Sequence, residues 1–588
     1  MSPLTGVLRV GNCSGFYGDR LSAMREMLDG GPLDVLTGDY LAELTMLILG
    51  RDKMLDPALG YARTFVRQAE DCLGTALEKG VRIVANAGGL NPAGLAERLR
   101  EVASGLGLSP RIGYVDGDDV LPRAEELGIG GKPLTANAYL GGFGIAAALS
   151  AGADVVVTGR VTDASLVVGP AVAHFGWTPA SYDELAGAVV AGHVIECGAQ
   201  ATGGNFSGFT PWREPLGFPL VELHADGSSV VTKHDGTGGE VTVDTVTAQL
   251  MYEIDAPTYL GPDVATHLDT VALADDGPDR VRISGVRGSA PPETLKVCVN
   301  EPGGFRNSAE LVLVGLDVEE KAAWVRSQLT AALAADPPAS VEWSLARTDR
   351  EDADTEEAAS CRLRVTVRDA DLERVDKAFT APLVELALAS YPGFTLTAPP
   401  SSATPYGVYR PAFVPREAVQ PRVVLDGRAL DVRDDRTAQP GGSGEALARV
   451  RRASEERASG CPRRFLPAES GGRLPVRRVP LGRVVHARSG DKGGDANVGV
   501  WAIDAATRAD RVSWLLEFLD VERVKLLLPE TRELEVEVYP LPNLGGVNVV
   551  VRGLLGEGVA ASSRFDPQAK ALGEWLRSRH VDVPEDLL

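Results

Sequence analysis

The sequence predicts an α/β protein. It has a doubly wound, mostly parallel sheet in its first part, β-rich and α+β additions after it, and a ferredoxin-like α+β domain at the C-terminal end. Three observations lead there. Short apolar runs without polar alternation recur through residues 5–210 ("GVLRV", "LDVLTG", "VRIVANAGG", "RIGYVDG", "ADVVVTGR"), as strands buried on both faces require. Amphipathic stretches such as "YARTFVRQAEDCLGTALEKG" separate them, so the strands read as parallel and joined by right-handed helical crossovers. At 588 residues the chain exceeds what one core holds, and two to four domains are expected.

Taken in order, residues 1–215 read as the doubly wound core. Residues 216–430 open with β-rich pieces ("GFPLVELHADGSSVVTKHDG") and return to strand–helix units, a continuation of the same region. Residues 431–478 are rich in Arg, Gly, Ser and Pro and read as a linker. Ten arginines stand against three glutamates between Arg449 and Arg483, either a solvated run or an anion contact. Residues 479–588 alternate strands ("GRVVHARSG", "NVGVWAID", "GVNVVVRGLLG") with two helical stretches, which gives the small ferredoxin-like domain.

A net charge of -22 argues against a general nucleic-acid or anionic-membrane binder. The six cysteines are scattered without a CxxC pair, which fits a reducing compartment and gives no zinc knuckle or disulfide frame. Neither a signal-peptide pattern nor an 18-residue charge-free apolar run is found. The expectation is a cytoplasmic protein, a homo-oligomer by its size, with a small-molecule substrate and no nucleic-acid or membrane partner.

In a parallel sheet the loops after the strands' carboxyl ends gather at one edge, where ligands bind. Here those loops are all rich in Gly, Asn, Asp and Thr. "GNCSGFYGDR" spaces Gly11, Gly15 and Gly18 as G-x3-G-x2-G, which is neither a dinucleotide fingerprint nor a P-loop. With Asp19 and Arg20 it reads as an anion-holding turn or as a tight turn that packs a helix. "TGDYLAEL" puts Asp39 and Glu43 on one helical face, as dipole-favoured acids, acid–base groups or, with Asp163, ligands of a divalent metal. Asn86 and Asn91 flank a Gly-Gly turn as carbonyl-orienting donors or caps. Arg160 suits a carboxylate or phosphate, unless it pairs with Asp163.

One helical face carries Leu185, Val189, His193, Glu196 and Cys197, so an apolar stripe turns polar just before "ATGGNFSG", which contains Asn205. His193 with Glu196 reads as a general base and its orienter, and Cys197 as a nucleophile or a small buried residue. His234 sits beside "DGTGG", and Lys492 lies in the polar stretch "HARSGDKGGDANVG". Both are candidates for substrate contact.

Together, "GNCSGFYGDR", "TGDYLAELTM", "NAGGLNP", "TGRVTDASL", "GHVIECGAQATGGNFSGF", "HDGTGG" and "ARSGDKGGDANVG" resemble the acyclic terpene utilisation family of type AtuA. The resemblance covers about residues 1–410, with the ferredoxin-fold domain often fused to it over 479–588. It implies a place in acyclic terpene or branched acyl-CoA breakdown beside acyl-CoA carboxylase, hydratase and lyase partners. It carries over no catalytic residue. Three expectations follow. One is lyase or hydratase chemistry on a CoA thioester or carboxylate, with no cofactor assigned, using His193, Glu196, Cys197 and Asp39 for chemistry. Gly15, Asp19, Arg20, Asn86, Asn91, Arg160, Asp163, Asn205, His234 and Lys492 would then hold substrate. The second is a divalent-metal enzyme using Asp39, Glu43 and Asp163. The third is a non-catalytic subunit that organises carboxylase or lyase partners.

Overall fold

The first apolar run, LRVGN, forms strand β1 (Leu8–Asn12), and the following helix α1 (Ala23–Gly30) buries Met24, Met27 and Leu28 against it. Described here from a computed structural model are residues 6–209, 214–432 and 475–588, so most of the expected 431–478 linker lies outside the described residues. Strands β2 (Val35–Gly38), β3 (Arg82–Ala85) and β4 (Ile112–Asp116) follow, connected through α2 (Glu43–Leu55), α3 (Arg63–Lys79) and α4 (Pro92–Gly105). Local signals set these boundaries. Asn91 accepts the Gly94 N–H and Pro92 takes the first helical position of α4. Gly80, at φ 69°, ends α3 in the left-handed conformation a side chain would resist.

The chain then reverses. Strand β5 (Thr135–Ala138) leaves for a second sheet, while β6 (Val155–Thr158) inserts between β3 and β4. The order β1-β2-β3-β6-β4 is parallel throughout. The forward crossovers place α1, α3 and α4 in one apolar layer. Helices α5 (Phe143–Ser150), α6 (Ser165–Phe175) and α7 (Tyr182–Ile195) pack in the other, as right-handed connection in the reverse direction requires. Helix α7 is buried on every side from Leu185 to Ile195.

The sheet as a whole is mixed rather than mostly parallel. Beyond β1 it continues antiparallel through β7 (Pro219–Leu223), β8 (Ser229–Lys233) and strands Val281–Ser284 and Ala272–Asp275, and beyond β4 through Arg422–Leu425 and Arg428–Leu430. Residues 216–430 thus extend both edges of the first part, covering strands that would otherwise expose unpaired backbone. Between these edges runs the strand Thr294–Val314, which anchors a six-stranded sheet. Its distal half, with helices Val318–Leu333 and Lys377–Glu385, surrounds a core of its own built on Leu311, Val325, Val365 and Phe379.

The C-terminal part has a four-stranded antiparallel sheet in the order Val485–Lys492, Asp495–Ala502, Gly546–Val551, Val536–Leu541. With its helices the chain order is ββαββα, a cyclic permutation of the βαββαβ order of ferredoxin-like folds. This domain is docked, not tethered: Trp501, Leu541 and Leu544 belong to the main hydrophobic cluster. The Trp501 indole N–H donates to Asp244 at 3.0 Å. Trp501→Phe is expected to lower stability by about 2 kcal/mol, because the ring remains while the burial-raised Asp244 carboxyl loses its donor. A urea titration of the full chain measures it; an unchanged midpoint would show that this contact is idle.

Candidate functional site

Every central parallel strand delivers a polar residue to the same edge. The Asn12 amide at the end of β1 donates to the Ile195 and Glu196 carbonyls at 2.8 and 3.0 Å, fixing the last turn of α7. After β2, the Asp39 carboxylate accepts from the Asn86 amide at 2.5 Å, and the Asn86 oxygen accepts from the Tyr40 N–H at 2.7 Å. After β4, Asp118 accepts from the Arg160 N–H at 2.9 Å and from Asn137 at 2.7 Å. After β6, the Arg160 guanidinium donates to Asp163 at 2.7 Å and to the Leu41 carbonyl at 3.2 Å, with only 3% of the side chain accessible.

Around Arg160 the chamber is lined by groups from distant segments. Its guanidinium lies 4.4 Å from the centroid of Tyr139, whose hydroxyl donates to Glu43 at 3.0 Å. The Lys296 ammonium stands 4.0 Å from Glu43, 5.1 Å from the Tyr139 centroid and 5.8 Å from that of Tyr409. On the other side His193 Nδ1 and Glu196 Oε1 are 3.0 Å apart, with both side chains buried. The His193 ring lies 5.6 Å from Tyr259, and the Lys492 ammonium 5.5 Å from Tyr259. Lys492 donates to the carbonyl of Glu253, a non-glycine residue at φ 55°. Such a conformation costs about 1–3 kcal/mol and persists where surroundings impose it. Here Asn497 accepts the Glu253 N–H.

Burial and neighbouring charges sort the protonation states. Burial, reinforced by Asp163, pushes Asp39 well above the usual carboxylate range. Burial also raises Glu196, with Asp163 and Glu253 adding to it. Burial lowers His193 to about 4, and the Lys492 charge assists. Burial alone would raise Glu43 too, but Lys296 and Arg160 overcome it and hold Glu43 at about 2. Glu43, Asp163 and Lys296 keep 28–33% of their side chains accessible, so solvent reaches this part of the cluster. Because its folded pKa is raised, Glu196 costs stability as pH climbs above about 4.5, where the unfolded chain has released that proton. Glu196→Gln is therefore expected to match the parent near pH 4 and to melt higher at pH 8. Thermal unfolding across that range measures this, and a pH-independent difference would contradict it.

The model of the acyclic terpene utilisation family protein AtuA matches residues 8–425, more than two thirds of the chain. The chain belongs to the AtuA family. A second model, the AtuA ferredoxin-like domain, matches residues 479–582. No curated protein and no solved structure matches the chain.

In this AtuA-family chain the chamber brings together Asp39, Asn86, Arg160, Asp163, His193, Glu196 and Lys492. Gly15 borders it: a side chain there would meet the Cys197 and Gly198 backbone within 2.7 Å, so the opening loop packs onto the end of α7. Other expected residues are occupied elsewhere. Asp19 closes its own loop, accepting from the Gly15 and Arg20 N–H groups, so those amides are not free for an anion. Arg20 pairs with Glu26 and lies over Phe218. Asn91 caps α4. Asn205 is exposed in a turn at φ 58°. His234 bonds the Met27 carbonyl through Nε2, and its ring fills the space left by Gly30 and Gly31. Burial, with Glu196 adding to it, raises the Cys197 thiol well above its ordinary value, which removes thiolate character. Among the described residues no three His, Cys, Asp or Glu side chains are grouped to hold a metal ion. Asp39, Glu43 and Asp163 are instead engaged by Asn86, by Tyr139 with Lys296, and by Arg160.

Sequence reasoning missed Tyr139, Glu253, Tyr259, Lys296 and Tyr409. The alternation around Lys296, where Leu295, Val297 and Val299 are buried in the main cluster, was the one signal for that residue's separate face.

Proposed function

We propose that this chain is an acid–base enzyme of the lyase or hydratase kind, acting on a branched carboxylate or its CoA thioester in acyclic terpene breakdown. One observation carries the reading. His193 Nε2, Glu196 Oε2 and Arg160 Nε are buried polar atoms without a hydrogen-bond partner among the described residues, and all belong to one chamber. Buried polar groups are normally satisfied, so a cluster of open ones marks a place for a ligand's polar atoms.

The roles follow from the chemistry of each group. With Nδ1–H donating to Glu196 Oε1, neutral His193 presents its Nε2 lone pair as the base, and protonated Glu196 presents an acid beside it. Arg160 faces the substrate's carboxylate or carbonyl oxygen, while Asn86 and Asp118 keep Asp39 and Arg160 in position. Membership in the AtuA family supports the substrate class, and the paired base and acid support proton transfer.

The test incubates the protein in D2O with saturated and unsaturated branched acyl-CoA thioesters and follows deuterium uptake and loss of olefin by NMR. At least one thioester should be labelled or hydrated by the wild type and none by His193→Gln. Equal behaviour of the two proteins sinks the proposal.

A further inference from the structure

Lys492 enters the chamber from the other domain. It ends the strand Val485–Lys492, and the turn beyond it is held by glycines. Gly493, at φ 68°, would push any side chain onto Tyr409, and a Cβ at Gly494 would meet the Gly556 carbonyl. The hairpin tip is thus wedged in place. Glu43, Glu196, Glu253 and Asp491 all feel its charge, and two of them are answered by another cation: Lys570 lies 3.4 Å from the Glu253 carboxylate and 3.9 Å from Asp491. The Lys492 ammonium, by contrast, donates to the neutral Glu253 carbonyl at 2.7 Å and enters no ion pair among the described residues. A partly buried ammonium with only a carbonyl acceptor and an aromatic face favours an incoming anion.

A path leads to it. Glu43, Leu47, Tyr409, Asp491, Gly493 and Ala560 enclose a small cleft at the seam between the two domains. The domain's wall is fixed by three arginines: Arg306, Arg364 and Arg368 donate to the Ala560, Ser563 and Ala561 carbonyls.

Resting on the acid–base reading above, we infer that Lys492 binds the carboxylate of the substrate and leaves its carbonyl oxygen to Arg160, so that the active site is built from both domains. The C-terminal domain is then a resident part of the site, anchoring what the main domain transforms.

Calorimetric titration of the full chain with isovalerate and, separately, inorganic phosphate tests this. Isovalerate affinity should fall about ten- to a hundred-fold in Lys492→Met and recover most of the way in Lys492→Arg. In the wild type, isovalerate should protect Lys492 from acetic anhydride in a mass-spectrometric footprint, a readout that needs no variant to fold. Unchanged affinity in Lys492→Met with no protection overturns this inference and leaves the reading of His193 and Glu196 standing. Lys492-dependent binding of phosphate alone overturns the carboxylate assignment. Failure of the wild type to bind isovalerate at all overturns the carboxylate reading of the whole chamber.

Discussion

Replacing His193 with glutamine is expected to lower turnover by a factor of about a hundred to ten thousand, the range that a positioned general base contributes. The side chain sits in the last turn of α7, buried, with its backbone carbonyl accepting from Gln249 at 3.1 Å. Glutamine keeps the volume and the hydrogen bond to Glu196, so the fold stays and the basic nitrogen goes. The pH profile gives an independent mark. A histidine held near 4 remains an unprotonated base throughout the range in which a free imidazole would be losing that role. The acidic limb of the wild-type rate should therefore fall near pH 4 and not near 6.5. Folding follows the same sign: as pH drops from about 6.5 to 4 the unfolded chain takes up a proton that the folded one refuses, and stability declines. In His193→Gln that part of the decline should vanish. A full-rate glutamine variant, or an acidic limb at 6.5, would refute the assignment.

Arg160→Met is expected to cost about 3 kcal/mol of stability, because breaking a buried pair leaves its partner's charge uncompensated. The loss reaches beyond Asp163, which is itself 28% accessible. Burial already works against the Arg160 charge, and Asp163, Tyr139, Glu43 and Asp39 together keep it. Removing the cation therefore disturbs several acidic groups at once. Arg160→Lys retains a charge but not the planar guanidinium that lies over the Tyr139 ring while its Nη1 reaches both Asp163 and the Leu41 carbonyl, and should restore part of the loss. Chemical denaturation of the three proteins at one pH decides the matter. Equal midpoints would mean that solvent in the cleft screens the pair completely.

The half of the chamber built from loops after parallel strands was legible in the sequence, since each such strand is an apolar run followed by a polar residue at a known edge. Asp39, Asn86 and Arg160 were found in that way. The same logic misled at His234, because a glycine-rich turn that makes room for a ring looks like one that makes room for a ligand, whereas at Asn91 the cap that the sequence also allowed is the one observed. Gly30 and Gly31 accommodate the His234 imidazole, and nothing in "HDGTGG" states this. The other half comes from antiparallel segments whose partners are set by tertiary packing. Lys296 and Tyr409 meet only because the strands Thr294–Val314 and Thr404–Pro415 pair across more than a hundred residues of chain. The mixed sheet was missed for a related reason: "PLVEL" and "SVVTK" read as strands but do not announce that they add to β1.

The strand Thr294–Val314 belongs to two parts of the molecule at once. At one end its backbone carries Lys296 into the chamber, and at the other it supplies Leu311 and Leu313 to the separate core of the small lobe. Fully extended, 21 residues reach roughly 70 Å, with one register shift at Pro302/Gly304. One continuous backbone thus joins the separate core built on Leu311 and Leu313 to the ammonium that stands beside Glu43.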